Sequence, residues 1–151
     1  MDELDRKILR RLAGDGRCPY QTISNEQGVS IGTVHNRVRK MMDEGIMTKF
    51  SVDVNLERFG YSMTTITMIT LDTTSNADRV RNELKKFKES VVMLYHMTGN
   101  VDFIMINKFK DMIAMREFNR GIAKIPGIRS ETNIVMNAVK EDGLDLQAVM
   151  A

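Results

Sequence analysis

The sequence predicts an α+β chain with an N-terminal winged helix-turn-helix joined to a C-terminal ferredoxin-like (βαββαβ) domain. Three observations carry this. Apolar residues recur at helical spacing through the first 45 residues, in three segments broken by glycines. From Met63 the pattern changes to runs rich in β-branched residues that alternate with helical ones, in the order strand, helix, strand, strand, helix, strand. Between the two lies DVNLERFGYS, polar and interrupted by Gly60. The expected organisation is 1–52, a linker at 53–62, a second domain at 63–140 and a tail at 141–151.

The first helix is expected over residues 2–13. Leu4, Ile8, Leu9 and Leu12 make its apolar side, and Asp2, Glu3 and Asp5 crowd the positive end. Gly14, Asp15 and Gly16 break it. The second helix is expected over 19–27, with Pro19 in the first turn, Ile23 in the core and Gly28 at the end. The third begins at Ser30, an N-cap residue. Val34, Val38 and Met41 share one face, and Gly45 stops the helix. Arg37, Arg39 and Lys40 are basic, and no acid occurs between Ser30 and Met42. IMTKFSVDV, from Ile46, is expected to form a strand or hairpin, the wing. Ile46, Phe50 and Val52 would anchor it, and Lys49 would point toward a phosphate.

A buried apolar stripe behind a polar, basic face is what a helix needs to enter the DNA major groove, although an ordinary solvated amphipathic helix shares that pattern. The reading becomes specific with the short turn at Gly28–Val29 and the strand that follows. Arg37, Arg39 and Lys40 would supply phosphate attraction. Gly32, Thr33, His35 and Asn36, near the amino end beside Ser30, would approach base edges. Two copies about a twofold axis would read a near-palindromic site on double-stranded DNA.

In the second domain, strands are expected at 63–71, 91–97, 103–107 and 128–139, and helices at 76–87 and 110–123. Thr98–Asp102 would join the middle strands and Pro126–Gly127 would precede the last. Both helices would cover one face of the sheet. The other face, with Met, Ile, Val and Thr side chains, would be left open, and pairing with a second copy is the simplest way to cover it. Leu144, Leu146 and Val149 in the tail would pack on a neighbour or fray.

Composition excludes several classes. Formal net charge is +2, and the excess sits in the first 50 residues. With Cys18 as the only cysteine, neither an internal disulfide nor a thiolate metal cluster can form. His35 and His96 stand far apart in sequence, so no metal site is expected. No apolar run is long enough to span a membrane, and MDELDRKIL lacks a signal core. A soluble, cytoplasmic setting is expected. Paired carboxylates, a phosphate-binding glycine loop and Ser–His–Asp spacing are missing, so neither an enzyme nor a cofactor is expected. Thirteen methionines and no tryptophan suit an adaptable core or a subunit interface.

The order of short motifs resembles the leucine-responsive/AsnC family of feast-or-famine transcription regulators over nearly the full chain. The match runs through LDRKIL at 4–9, Val29, Ser30, Thr33, Val34 and Arg37, then EGI at 44–46 and Gly60. It continues through Gly99 and Asp102 in TGNVD, and Pro126, Gly127 and Ile128 followed by Thr132. Ile23–Ser24, Met41–Met42 and Asn100–Val101 depart from the usual pattern. The resemblance implies a dimerisation and effector domain, homodimers that assemble to tetramers or octamers, and a small-molecule effector, typically an amino acid. It maps the effector to Gly99, Asn100, Val101 and Asp102, with Thr132 as a neighbour. Asp102 would either accept from an α-ammonium group or hold the turn. Two rivals stay open: an effector-independent architectural DNA-binding protein, and a sirohaem-type tetrapyrrole decarboxylase of similar two-domain fold, for which His35 or His96 would approach a propionate.

Overall fold

The computed structural model describes residues 1–73 and 75–140. They form two compact units that divide between Asp53 and Val54. The expected tail, with Leu144, Leu146 and Val149, lies outside the described residues.

The first unit is three helices: α1 (Glu3–Gly14), α2 (Tyr20–Gln27) and α3 (Ile31–Asp43). Asp2 caps α1 reciprocally with Asp5. Each carboxylate accepts the other's backbone N–H at 2.9 Å, which satisfies two of the donors left over at a helix start. Pro19 stands one position before α2 rather than inside its first turn, and Gly28 ends that helix in the left-handed region at φ 63°. Ile8, Ile23, Val34, Val38 and Met41 meet in one core. That core is complete within the unit.

The strand or hairpin expected for the wing is not seen. No strand occurs over residues 46–54 among the described residues. The anchor is Met47, which is buried, whereas Ile46, Phe50 and Val52 are exposed, Val52 at 85%. A strand needs a partner edge to satisfy its backbone groups, and residues 46–54 have none in this unit. Within the stretch expected as a linker, Asn55 caps a 3-10 turn at Leu56–Phe59 that Gly60 closes at φ 87°.

The second unit carries β1 (Met63–Leu71), α4 (Ala77–Leu84), β2 (Val91–His96), β3 (Phe103–Phe109), α5 (Met112–Ile122) and β4 (Ile128–Ile134). The sheet order is β2-β3-β1-β4, every neighbour antiparallel. This is the expected βαββαβ architecture. Period-two alternation sends Ile69, Phe103, Met105 and Phe109 to one face, where Val80 and Leu84 of α4 and Phe118 and Ile122 of α5 cover them. A polar seam runs through this layer. Asn107 Nδ2 donates to Thr67 Oγ1 at 2.9 Å, Thr67 meets Thr132 at 3.1 Å, and Thr132 donates to Asn119 Oδ1 at 2.9 Å. It ties three strands to α5 and fixes their register, because a one-residue slip would turn every member outward. β4 ends at Ile134 rather than 139. Its partner β1 runs out there: Ile134 pairs with Thr65, and Val135 N–H reaches Thr64 O at 2.9 Å.

Among the described residues of this unit, no helix covers the other face. Two cross-strand rows lie on it, Met93–Ile106–Ile66 and Tyr95–Ile104–Met68, ending at Asn133 and Glu131 of β4.

Candidate nucleic-acid interface and effector turn

α3 is built to present one face. Ser30 caps it, its hydroxyl accepting Thr33 N–H at 3.0 Å and meeting Thr33 Oγ1 at 2.9 Å. Both hydroxyls are therefore engaged in holding the helix start. Val34, Val38 and Met41 are buried, so Gly32, His35, Asn36, Arg39 and Lys40 form a continuous exposed stripe opposite them. Gly32 has ordinary space around it, with nothing nearer to an added Cβ than Ser30 Oγ at 3.6 Å. Tyr20 of α2 meets the His35 ring edge-on at 6.3 Å.

The three basic residues of α3 separate into two kinds. Among the described residues, Arg39 and Lys40 make exposed pairs one turn ahead, Arg39–Asp43 at 4.0 Å and Lys40–Glu44 at 3.7 Å. With the base amino-terminal to the acid, these have the weaker helical order, and such surface pairs are worth only about 0.3–0.5 kcal/mol. Both side chains stay exposed. Arg37 is held differently. Its Nη1 is shared between Asp2 and the buried Asp5 carboxylate, the latter at 3.3 Å. Donation to Asp2 holds the guanidinium above its ordinary pKa. The Asp2 carboxyl is held below its own, first by the Asp5 N–H and then, against burial, by Arg37. Arg37, expected among the phosphate contacts, also clamps α3 to the start of α1. The sequence carries a signal for this, since paired acids at 2 and 5 need a cation. Lys49 is exposed but lies in the segment without a strand.

The 98–102 turn is bolted to the end of β1. Gly99 sits at φ 105°, a conformation that favours glycine. Asp102 N–H donates to Ile69 O at 2.9 Å, its carbonyl accepts Met97 N–H at 2.7 Å, and its Oδ2 accepts Leu71 N–H at 2.7 Å. Thr70 Oγ1 reaches Asn100 O at 3.4 Å. Asp102 therefore holds the turn. Beside it lies a cavity of about 250 Å³ lined by Met68, Thr70, Val101, Arg129, Ser130 and Glu131. Thr132, expected here, is elsewhere: its hydroxyl is in the polar seam under α5. The neighbours missed were Arg129 and Glu131, and only the β1–β4 register, which sets Arg129 opposite Thr70 and Glu131 opposite Met68, reveals them.

His35 is on α3 beside Tyr20, and His96 stacks on Phe103 at 4.7 Å. Among the described residues no cluster of side chains is arranged to hold a metal ion, and no helix is long and apolar enough to cross a membrane.

Comparison with known families decides the assignment. A winged helix-turn-helix DNA-binding model matches residues 1–46, and an Lrp/AsnC ligand binding domain model matches residues 64–145. The chain belongs to the Lrp/AsnC family. It is similar to the HTH-type transcriptional regulator PH1692 of Pyrococcus horikoshii, at 35% identity over 143 residues that cover 94% of this chain and 95% of that one. Among solved structures it resembles E. coli AsnC, with TM-score 0.83 and 28% identity over 95% of this chain and 97% of that chain. It also shares its fold with the Neisseria meningitidis regulator NMB0573, solved as an L-Met complex, with TM-score 0.82 and 21% identity over 93% and 92% of the two chains. Members of the Lrp/AsnC family are transcriptional regulators rather than enzymes, and this chain is a sequence-specific DNA-binding regulator of that family.

Proposed function

We propose that this regulator reads double-stranded DNA with the exposed stripe of α3, as a homodimer built on the uncovered sheet face, and that an amino acid bound beside the 98–102 turn biases its assembly or its DNA affinity. The reading places it in the cytoplasm. His35 and Asn36 approach base edges, and Arg39 and Lys40 take phosphates. Phe50, Val52, Val54 and Phe59 are exposed in the stretch before the sheet and add apolar surface for burial on assembly.

One observation carries the coupling. Met68 lines the cavity at the turn and also stands in the Tyr95–Ile104–Met68 row of the open face. A ligand that moves Met68 therefore acts on the pairing surface, which gives the two assembly states the different affinity for ligand that coupling requires. Arg129 and Glu131 supply opposite charges for the carboxylate and ammonium of an amino acid, and Met68 and Val101 an apolar wall for its side chain. The bound L-Met of the Neisseria regulator is consistent with such a ligand. Calorimetry across the common amino acids, followed by sedimentation with and without each binder, tests the reading. A binder that shifts the assembly supports it. If none binds while DNA binding is intact, the effector-independent architectural account replaces it.

A further inference from the structure

At the end of the sheet away from the 98–102 turn, the approach to β2, the end of β3 and the first half of α5 surround a cleft of about 720 Å³. Its size falls in the range of small-molecule sites, roughly 300–1,000 Å³. One wall is aromatic. Phe118 packs against Phe87 at 5.3 Å and against Phe109 at 5.2 Å between ring centres. Tyr61 adds a fourth ring, with Lys110 Nζ 5.2 Å from its centre. Lys88 and Lys110 are exposed where the cleft opens.

The charge balance favours an anion. Four lysines and two glutamates line the cleft. One of those glutamates, Glu117, is occupied by Arg120 at 2.7 Å, as Lys86 is by Glu83. Glu89 opposes Lys88 and Lys110 but is outnumbered. Cations beside packed aromatic rings suit a ligand with a charged end and a planar apolar body. The half-buried Tyr61 and Phe87 rings offer edge-to-face contacts, and the ammonium groups offer charge-assisted hydrogen bonds. A DNA backbone fits less well, because it would be gripped by lysines on a ridge, not around a concave aromatic wall.

We infer that the Tyr61–Phe87–Phe118 cleft, with Lys88 and Lys110 at its mouth, is a second ligand site that takes a small aromatic carboxylate. It is separate from the turn. β3 runs between them, and its seven residues span about 20 Å.

The test is calorimetry on the full-length protein with 3-phenylpropionate and its neutral amide, 3-phenylpropionamide. The carboxylate binds, and the amide binds about tenfold more weakly, as loss of a charge-assisted pair implies. The double variant K88Q/K110Q weakens the carboxylate about tenfold with an unchanged melting temperature. Gly121→Ala is an independent probe, since a Cβ there falls 2.7 Å from Phe87 Cε1 and must push that ring. It also weakens the carboxylate. The inference is overturned by no binding at millimolar carboxylate, by equal affinity for the amide, or by wild-type affinity in K88Q/K110Q. It is equally overturned if K88Q/K110Q binds 3-phenylpropionate normally but DNA with a shallower salt dependence, which would make these lysines a DNA contact.

Discussion

The helical unit and the sheet unit finish their cores differently. In the first, α1, α2 and α3 close around Ile8, Ile23, Val34 and Met41, and the surface left over on α3 is polar and basic. In the second, α4 and α5 cover only one side of the sheet, and the other side displays two apolar rows across three strands. A unit whose core is complete can spend its outer face on recognising a charged polymer. A unit with half its sheet uncovered needs a further surface before its burial is complete, and a second copy would supply one of matching character. On the proposed reading the first unit takes DNA and the second takes self-assembly.

The largest expected effect comes from breaking the open face. Ile106→Glu places a charge in the middle of the Met93–Ile106–Ile66 row. Because that face is solvent-accessible in a single chain, the variant folds. Burying the charge on pairing weakens self-association at least about a hundredfold, read by sedimentation equilibrium. DNA affinity for a palindromic site falls with it.

Next is Arg37→Ala, which leaves the buried Asp5 carboxylate without its cation. The melting temperature drops and DNA affinity falls through the misplaced helix. Asn36→Ala leaves the melting temperature unchanged and relaxes base preference by about 1–3 kcal/mol, measured by competition between cognate and altered sites.

The smallest effect is acid-side. The Asp2 carboxyl is held below its ordinary pKa in the fold, by Asp5 N–H and then by Arg37. A depressed folded value means a contribution that is fully present above the unfolded pKa and lost as pH falls through the folded one. Wild type is therefore more stable than Asp2→Asn at neutral pH, and the gap closes only below the ordinary aspartate range. Melting curves from neutral to strongly acid pH check the sign; a gap that widens on acidification contradicts it.

Much of this was legible in sequence because it is local. Ser30 with Val34, Val38 and Met41 specifies α3, and Gly28 and Gly45 mark its limits. The β-branched run at 63–71 marks β1, and the turn at 98–102 places the β2–β3 hairpin. What sequence did not reveal depends on partners far along the chain. Arg37 reads as one of three equivalent bases until Asp2 and Asp5 are brought beneath it. Thr132 reads as a turn neighbour until register sets it opposite Thr67 in the seam. The segment at 46–54 has strand composition, but strand formation depends on an edge to pair with, which composition does not encode.

The division of labour within α3 is the central claim, and the salt dependence of DNA binding tests it most directly. At a mapped site, the slope of log affinity against log salt counts the phosphates neutralised, at about 0.9 per contact. The account predicts that the double variant Arg39→Ala/Lys40→Ala flattens the slope by about two contacts per subunit, whereas Arg37→Ala lowers affinity with the slope unchanged. A slope that stays steep without Arg39 and Lys40, or that flattens equally without Arg37, would contradict it.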